Sequence, residues 1–155
     1  MAFDQEEKKK DRDYCFEKAK NVMVVLDTNI IIDHLRRENQ RDSLLIRLAK
    51  EKPKEALALS MISVQELYEG SSTRNEKREQ HLLATISPLR ILPYTYEVAV
   101  LAGSISRDRK TPIELADAAI AATAIIHGGV LYTLNRKDFS GIPDLQLGEL
   151  DKFDH

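Results

Sequence analysis

Asp27, Glu66 and Asp117 are carboxylates in places where a carboxylate is costly. Asp27 follows the apolar run Val22-Met23-Val24-Val25-Leu26 and precedes Thr28-Asn29 and a second run, Ile30-Ile31-Ile32. Glu66 lies in Ile62-Ser63-Val64-Gln65-Glu66-Leu67-Tyr68. Asp117 lies in Glu114-Leu115-Ala116-Asp117-Ala118-Ala119-Ile120, a stretch that stays mainly apolar to Ile126. A helix apolar nearly all round is a buried one, and aspartate is a poor helix former inside it. A buried carboxylate without a partner is strongly unfavourable or takes up a proton. A fourth polar cluster, Leu134-Asn135-Arg136-Lys137-Asp138-Phe139, follows Val130-Leu131-Tyr132-Thr133. Several carboxylates in one cleft repel one another, and a divalent cation removes that repulsion. Oxygen donors without a paired His or Cys select Mg²⁺ or Mn²⁺ rather than Zn²⁺. Such a site suits hydrolysis at phosphorus, where the ion activates water and stabilises the charge that develops.

Each residue also has an ordinary structural account. Asp27 fits a helix N-cap. Ser63 and Glu66 fit an S-x-x-E capping box. Asp117 falls past the first turn, where the helix dipole helps little, and it could pair with a buried arginine or lysine. Thr111-Pro112-Ile113-Glu114 fits a second capping box with proline at the first helical position, and Glu114 shares a face with Asp117 three residues on. Asn135 and Asp138 are also what a simple turn carries. His34, His81, His127 and His155 are scattered and suggest no ligand pair, and Cys15 has no matched base. There is no phosphate-cradling glycine-rich motif.

The elements that must position these groups follow from the apolar pattern. Short, mainly apolar runs at Val22–Leu26, Ala56–Ile62, Arg90–Leu92, Val130–Thr133 and Leu145–Leu147 are expected strands. Helical spacing marks Ile30–Arg37, a stretch carrying Leu44, Leu45 and Leu48 that Pro53 ends, and Ser63–Gly70 with glycine past its end. It also marks Arg74–Ile86, with Leu82, Leu83 and Ile86 buried, then Thr95–Arg109, and Thr111–His127 ended by Gly128-Gly129. Strands alternating with helices predict a three-layer α/β domain with a central, mainly parallel sheet flanked by helices. Ligands of such sheets bind beyond the carboxyl ends of the strands. Asp27, the start of the Glu66 helix, Asp117 and the loop 135–138 are all expected near that edge.

The chain has 155 residues, one domain's worth, with 43% hydrophobic and 31% charged residues, an ordinary globular balance that excludes a disordered or collagen-like chain. One cysteine allows no internal disulfide and fits a reducing compartment. No apolar run is long enough to span a bilayer. The first residues are charged rather than signal-like, so a cytoplasmic protein is expected. A net charge of −2 argues against holding nucleic acid by bulk electrostatics, so contact with it should be local. Residues 1–21 form a charged extension, helical or disordered, with six acids and six bases in the first twenty positions. The domain proper spans 22–150, and 151–155 is a tail.

At Leu26-Asp27-Thr28-Asn29-Ile30, Ile62–Gly70, Asp117–Ala124 and Thr133–Phe139 the sequence resembles the PIN-domain family, in particular the VapC-type toxin ribonucleases. The segment Glu97–Ile105 is similar to the helix that precedes the family's third motif. The resemblance runs from about Met23 to Leu147. It implies a PIN-like nuclease domain with Asp27 and Asp117 as principal metal ligands. Glu66 would bind the ion directly or through water. Many members have aspartate where this chain has Asn135, so Asn135 as an oxygen donor, Asp138 as a carboxylate, or both supply the fourth group. Thr28, Asn29 and Thr133 would support the site or contact phosphate. The resemblance further implies a Mg²⁺- or Mn²⁺-dependent endoribonuclease acting on RNA, often transfer RNA, a homodimer, and a cognate antitoxin that enters the acidic cleft.

Arg36, Arg37, Arg41, Arg107, Arg109, Lys110, Arg136 and Lys137 could flank the cleft and hold phosphates, although most such charges are simply solvated. Two other functions compete. A metal-dependent phosphatase would need a nucleophilic aspartate and a lysine at a later strand end, for which Lys137 is the near candidate. A catalytically weak PIN domain would serve as an RNA-binding or protein-interaction scaffold, and the retained trio Asp27, Glu66 and Asp117 argues against it.

Overall fold

The computed structural model describes residues 22–52 and 57–150. The charged extension with Cys15, the helix end expected at Pro53, the first residue of the expected strand Ala56–Ile62, and the tail 151–155 lie outside the described residues. Among the described residues there are five strands: β1 (Val24–Leu26), β2 (Leu57–Ser60), β3 (Arg90–Leu92), β4 (Val130–Tyr132) and β5 (Gln146–Leu147). Among the described residues the α-helices are α1 (Thr28–Arg36), α2 (Leu44–Glu51), α3 (Met61–Glu69), α4 (Glu76–Ile86), α5 (Tyr96–Asp108), α6 (Leu115–Ile126) and α7 (Arg136–Phe139). The sheet order is β3-β2-β1-β4-β5, and every pairing is parallel.

The mainly apolar strands are explained by two cores, one on each face. Side chains alternate across a strand. Val24, Leu26, Leu57 and Leu59 therefore enter one core with Ile30, Ile31, Leu48, Leu67 and Leu82. Val25, Ala58 and Leu131 enter the other with Val98, Ala102, Ile120 and Phe139. Leu26 and Ile120 are fully buried, so truncating either to alanine costs about 2–5 kcal/mol. The register pairs Leu26 with Leu59 and with Tyr132. The carboxyl ends of the three central strands thus finish level, and the residues that follow them share one edge.

Helix starts differ from the sequence expectation at two informative places. α3 begins at Met61 rather than Ser63, because Ser60 is the N-cap and its hydroxyl accepts from the Ile62 N–H at 3.3 Å. The Ser63–Glu66 capping box does not form. Ser63 is instead buried inside α3. α6 begins at Leu115, with Glu114 at the N-cap making no side-chain cap bond. The Thr111–Glu114 box is likewise absent, and Asp117 stands in the first turn rather than past it. Leu83, expected in the core, is 45% exposed, because Leu82 and Ile86 already fill the inward face of α4. The expected stop of α6 holds: Gly128 adopts φ +61°, and the Gly128 and Gly129 N–H groups donate to the Ile125 and Ala124 carbonyls. Among the described residues no helix is long and apolar enough to cross a membrane.

Candidate active site

Asp27 follows β1 and caps α1 with extended backbone, φ −69° and ψ 152°. Its N–H donates to the Tyr132 carbonyl at 2.9 Å, which fixes it beside β4. Its Oδ1 accepts from the Thr28 N–H at 2.7 Å, and its Oδ2 from the Thr133 hydroxyl at 2.6 Å. Burial pushes its pKa above the usual carboxylate value. The bonds from Thr133 and Thr28 lower it, and the charges of Glu66 and Asp138 raise it. Capping and site roles are compatible here, since one bond to each oxygen leaves lone pairs free on both.

Glu66 is half-buried on α3, and its Oε1 accepts from the Thr28 hydroxyl at 2.7 Å. The same Thr28 oxygen lies 2.8 Å from the buried Ser63 hydroxyl. Thr28 has one proton to give; with it on Glu66, the Ser63 hydroxyl can donate to the Thr28 oxygen, so both contacts hold together. Sequence reading missed Ser63 as part of this chain. The signal was its place three residues before Glu66, which is equally the signature of the cap that does not form.

Asp117 projects from the first turn of α6 and has no side-chain hydrogen bond among the described residues. Its pKa is pushed up to about 6, first by burial and then by the charges of Asp27, Glu66, Asp138 and Glu114, in that order. It opens onto a cleft of about 720 Å³ that Glu114, Asn135, Asp138, Arg109 and Lys137 also line.

The Thr133 hydroxyl ties the third wall to the first. Besides donating to Asp27, it accepts from the Asn135 N–H at 3.0 Å and the Asn29 amide at 3.4 Å. Asn29 Oδ1 in turn accepts from the Leu134 N–H at 3.3 Å. Asn135 stands at the N-cap of α7 without a side-chain cap bond, so its amide remains available to the cleft. Asp138 is exposed on α7. Arg136 is not brought to the cleft. Its guanidinium donates to the Gly148 carbonyl and fastens α7 to the chain beyond β5.

Two of the scattered histidines meet in space, though not as a ligand pair. Packing of α1 on α4 stacks His34 against His81 with ring centroids 6.4 Å apart, and His34 Nδ1 lies 2.7 Å from Ser43 Oγ. Burial and then the neighbouring His81 hold the His34 pKa below its usual value. This pair belongs to a separate cavity beside α2.

The chemistry of the donor set fits a hard cation: Asp27, Glu66, Asp117 and Asp138 offer only oxygen, and their charges act on one another. Among the described residues, no three His, Cys, Asp or Glu side chains already stand at the spacing of a metal-ligand set.

A family model described as the PIN domain matches residues 24–145. Among solved structures, the chain is similar to a DNA-bound VapBC from Salmonella typhimurium, with 26% identity and a TM-score of 0.71 over 82% of this chain and 97% of that one. VapBC2 from Rickettsia felis, bound to a fragment of promoter DNA, matches with 27% identity and a TM-score of 0.68 over 82% and 98%. A toxin–antitoxin complex from Klebsiella pneumoniae matches with 30% identity and a TM-score of 0.63 over 79% and 94%. No curated protein sequence matches.

Proposed function

The chain belongs to the PIN domain family, and on that premise we propose that it is a Mg²⁺- or Mn²⁺-dependent endoribonuclease, the toxin of a toxin–antitoxin pair. The observation that carries the reading is geometric: Thr28 joins Asp27 to Glu66 through its N–H and hydroxyl, and Asp117 and Asp138 line one cleft, so that four segments of the chain contribute acids. Four acids from four segments, none of them held in an ion pair among the described residues, make a site suited to a divalent ion rather than to a structural ion pair.

Asp27 and Asp117 are the principal ligands in this reading, with Glu66, Asp138 and Asn135 completing the oxygen set. A bound ion would lower the pKa of water and neutralise charge developing at phosphorus. The chain's own residues do the positioning. Thr28 and Thr133 fix one oxygen of Asp27 each, directly or through the backbone amide. Thr28 also holds Glu66, which in this reading would orient the attacking water or accept its proton. Asp117 has no bond to break and can turn toward the ion. Its raised pKa means that ion binding competes with a proton on it only below about pH 6. The phosphatase alternative is weaker, because Asp27 is buried and bonded on both oxygens. That is an arrangement for a ligand, not for an in-line nucleophile.

The toxin role rests on the resemblance to VapBC and toxin–antitoxin complexes. An antitoxin partner and a homodimer follow from the same resemblance. The dimer reading also has exposed apolar residues to cover, Tyr96 at 84% and Val100 at 53% exposed, one turn apart on α5.

The test is cleavage of RNA with Mn²⁺ or Mg²⁺ by wild type, Asp27→Asn and Asp117→Asn, with a chelator control. Cleavage lost in both variants and with chelator, while both variants melt cooperatively, is expected. Equal cleavage in every sample refutes the assignment and points to a contaminant. No cleavage by any sample leaves the scaffold reading in its place.

A further inference from the structure

We infer that Arg109 is the residue that receives a phosphate of the nucleic-acid strand in this cleft. The inference rests on the reading of the cleft as a nuclease site. The sequence offers eight cations as phosphate contacts, and the structure separates them. Arg37 is paired with Asp33 at 2.8 Å and Arg107 with Asp108 at 2.7 Å. Arg136 is turned to the Gly148 carbonyl. Of the eight, only Arg109 and Lys137 line the cleft with Asp117 and Asp138.

Arg109 differs from Lys137 in being held. It follows α5 as its C-cap, with its N–H donating to the Ile105 carbonyl at 3.1 Å. Its Nε donates to the Thr111 hydroxyl at 3.1 Å, and its Nη1 to the Asp138 carbonyl. Both acceptors are neutral, so the guanidinium keeps its full charge. It forms no ion pair among the described residues, although Asp117, Glu114 and Asp138 share the cleft. Two of its five N–H groups are used. The remaining three, two on Nη2 and one on Nη1, are unused, and a guanidinium receives a phosphate through paired N–H groups of this kind. A fork fixed in advance also loses less entropy on binding than a free lysine does.

The local role is thereby joined to a positional one. Arg109 fastens the backbone of Asp138, so the cation for the strand and the fourth carboxylate move as one unit. Acids alone would repel a polyanion. A fixed positive fork beside them supplies the local attraction that a chain of net charge −2 lacks overall.

The test is fluorescence anisotropy of a labelled single-stranded RNA 12-mer, titrated in chelator so that cleavage does not enter, across a series of salt concentrations. Arg109→Gln should weaken binding about tenfold and reduce the slope of log affinity against log salt by about 0.7. Arg109→Lys should keep the slope and lose part of the affinity, since charge survives and the fork does not. Arg107→Gln is the control and should change neither. A purely structural role for Arg109 would alter the melting temperature and leave the salt slope unchanged. An unchanged slope in folded Arg109→Gln overturns the inference, as does wild-type binding without salt dependence. Cleavage that persists with an unchanged slope removes Arg109 and keeps the nuclease. An Arg109-dependent slope without cleavage keeps Arg109 and removes the nuclease.

Discussion

Replacing Asp117 by asparagine should abolish cleavage and yet stabilise the metal-free protein. The pKa of Asp117 is pushed up from 3.8 to about 6, with burial first and four neighbouring carboxylates after it. The folded state therefore binds the proton more tightly than the unfolded chain does. Its contribution to stability is fully present below about pH 4 and is lost as the pH rises through about 6. Unscreened, a shift of that size corresponds to about 3 kcal/mol. The side chain is only half-buried, and screening by solvent reduces the figure to about 1–2 kcal/mol. Asparagine is nearly isosteric and carries no charge to repel, so Asp117→Asn should recover that amount at pH 7.5 and nothing at pH 4. For a domain of this size the gain corresponds to a melting temperature higher by about 3–6 °C. The assay is a set of thermal melts by circular dichroism in chelator at pH 4 and pH 7.5, then at pH 7.5 with Mn²⁺. Mn²⁺ should raise the melting temperature of the wild type and leave the variant nearly unmoved, since binding to the folded state alone stabilises it. A variant less stable than wild type at pH 7.5, or an equal gain at both pH values, refutes the electrostatic account of this site.

Thr133→Val should remove a bond from the buried Asp27 and two acceptor contacts from Asn135 and Asn29. It is expected to cost about 1–3 kcal/mol in a urea melt and to weaken Mn²⁺ binding, followed by electron paramagnetic resonance, about tenfold; an intact affinity would exclude Thr133 as a support of the ligand. His34, its pKa held low by burial and then by His81, should make the fold less stable as the pH falls below about 6.5, because the unfolded histidine binds the proton first. His34→Asn should flatten that limb of the stability–pH curve between pH 7 and 5, and a limb that persists in the variant removes His34 as its source. Ser60→Ala should cost about 1 kcal/mol through loss of the α3 cap, measured by the same urea melt, and a change below a few tenths would show that the Ile62 N–H finds another acceptor.

The layer architecture was legible because a strand buried on both faces has no polar position to confuse its reading. Val24-Val25-Leu26 and Val130-Leu131-Tyr132 carry that signal, and their pairing puts Asp27 and Thr133 side by side. Asp27 stood out as a polar residue at the end of an apolar run, and Asp117 as one inside an apolar helix. The fate of the cations was not legible. Arg136 and Arg109 are both arginines beside a motif, and only their distant partners, the Gly148 and Asp138 carbonyls, separate them. Nor was the histidine stack, since His34 and His81 are joined by the packing of two helices and by no local pattern.

The two misplaced helix starts show why a capping signature and a ligand signature compete for the same letters. A glutamate in the first turn after a serine can return to the backbone and close the helix end. Once it does so, its oxygens are committed. In α3 the cap is supplied three residues earlier by Ser60, so Glu66 moves from the third position of the helix to its second turn and meets the Thr28 hydroxyl instead. In α6 the cap position is taken by Glu114 without a side-chain bond, and Asp117 stays free in the first turn, where the helix dipole favours its charge. The dipole lowers the cost of the charge while the crowd of carboxylates raises it, and the pKa near 6 shows that burial and crowding win. A helix end that capped itself efficiently would be more stable alone and would leave Asp117 and Glu66 nothing to offer a cation.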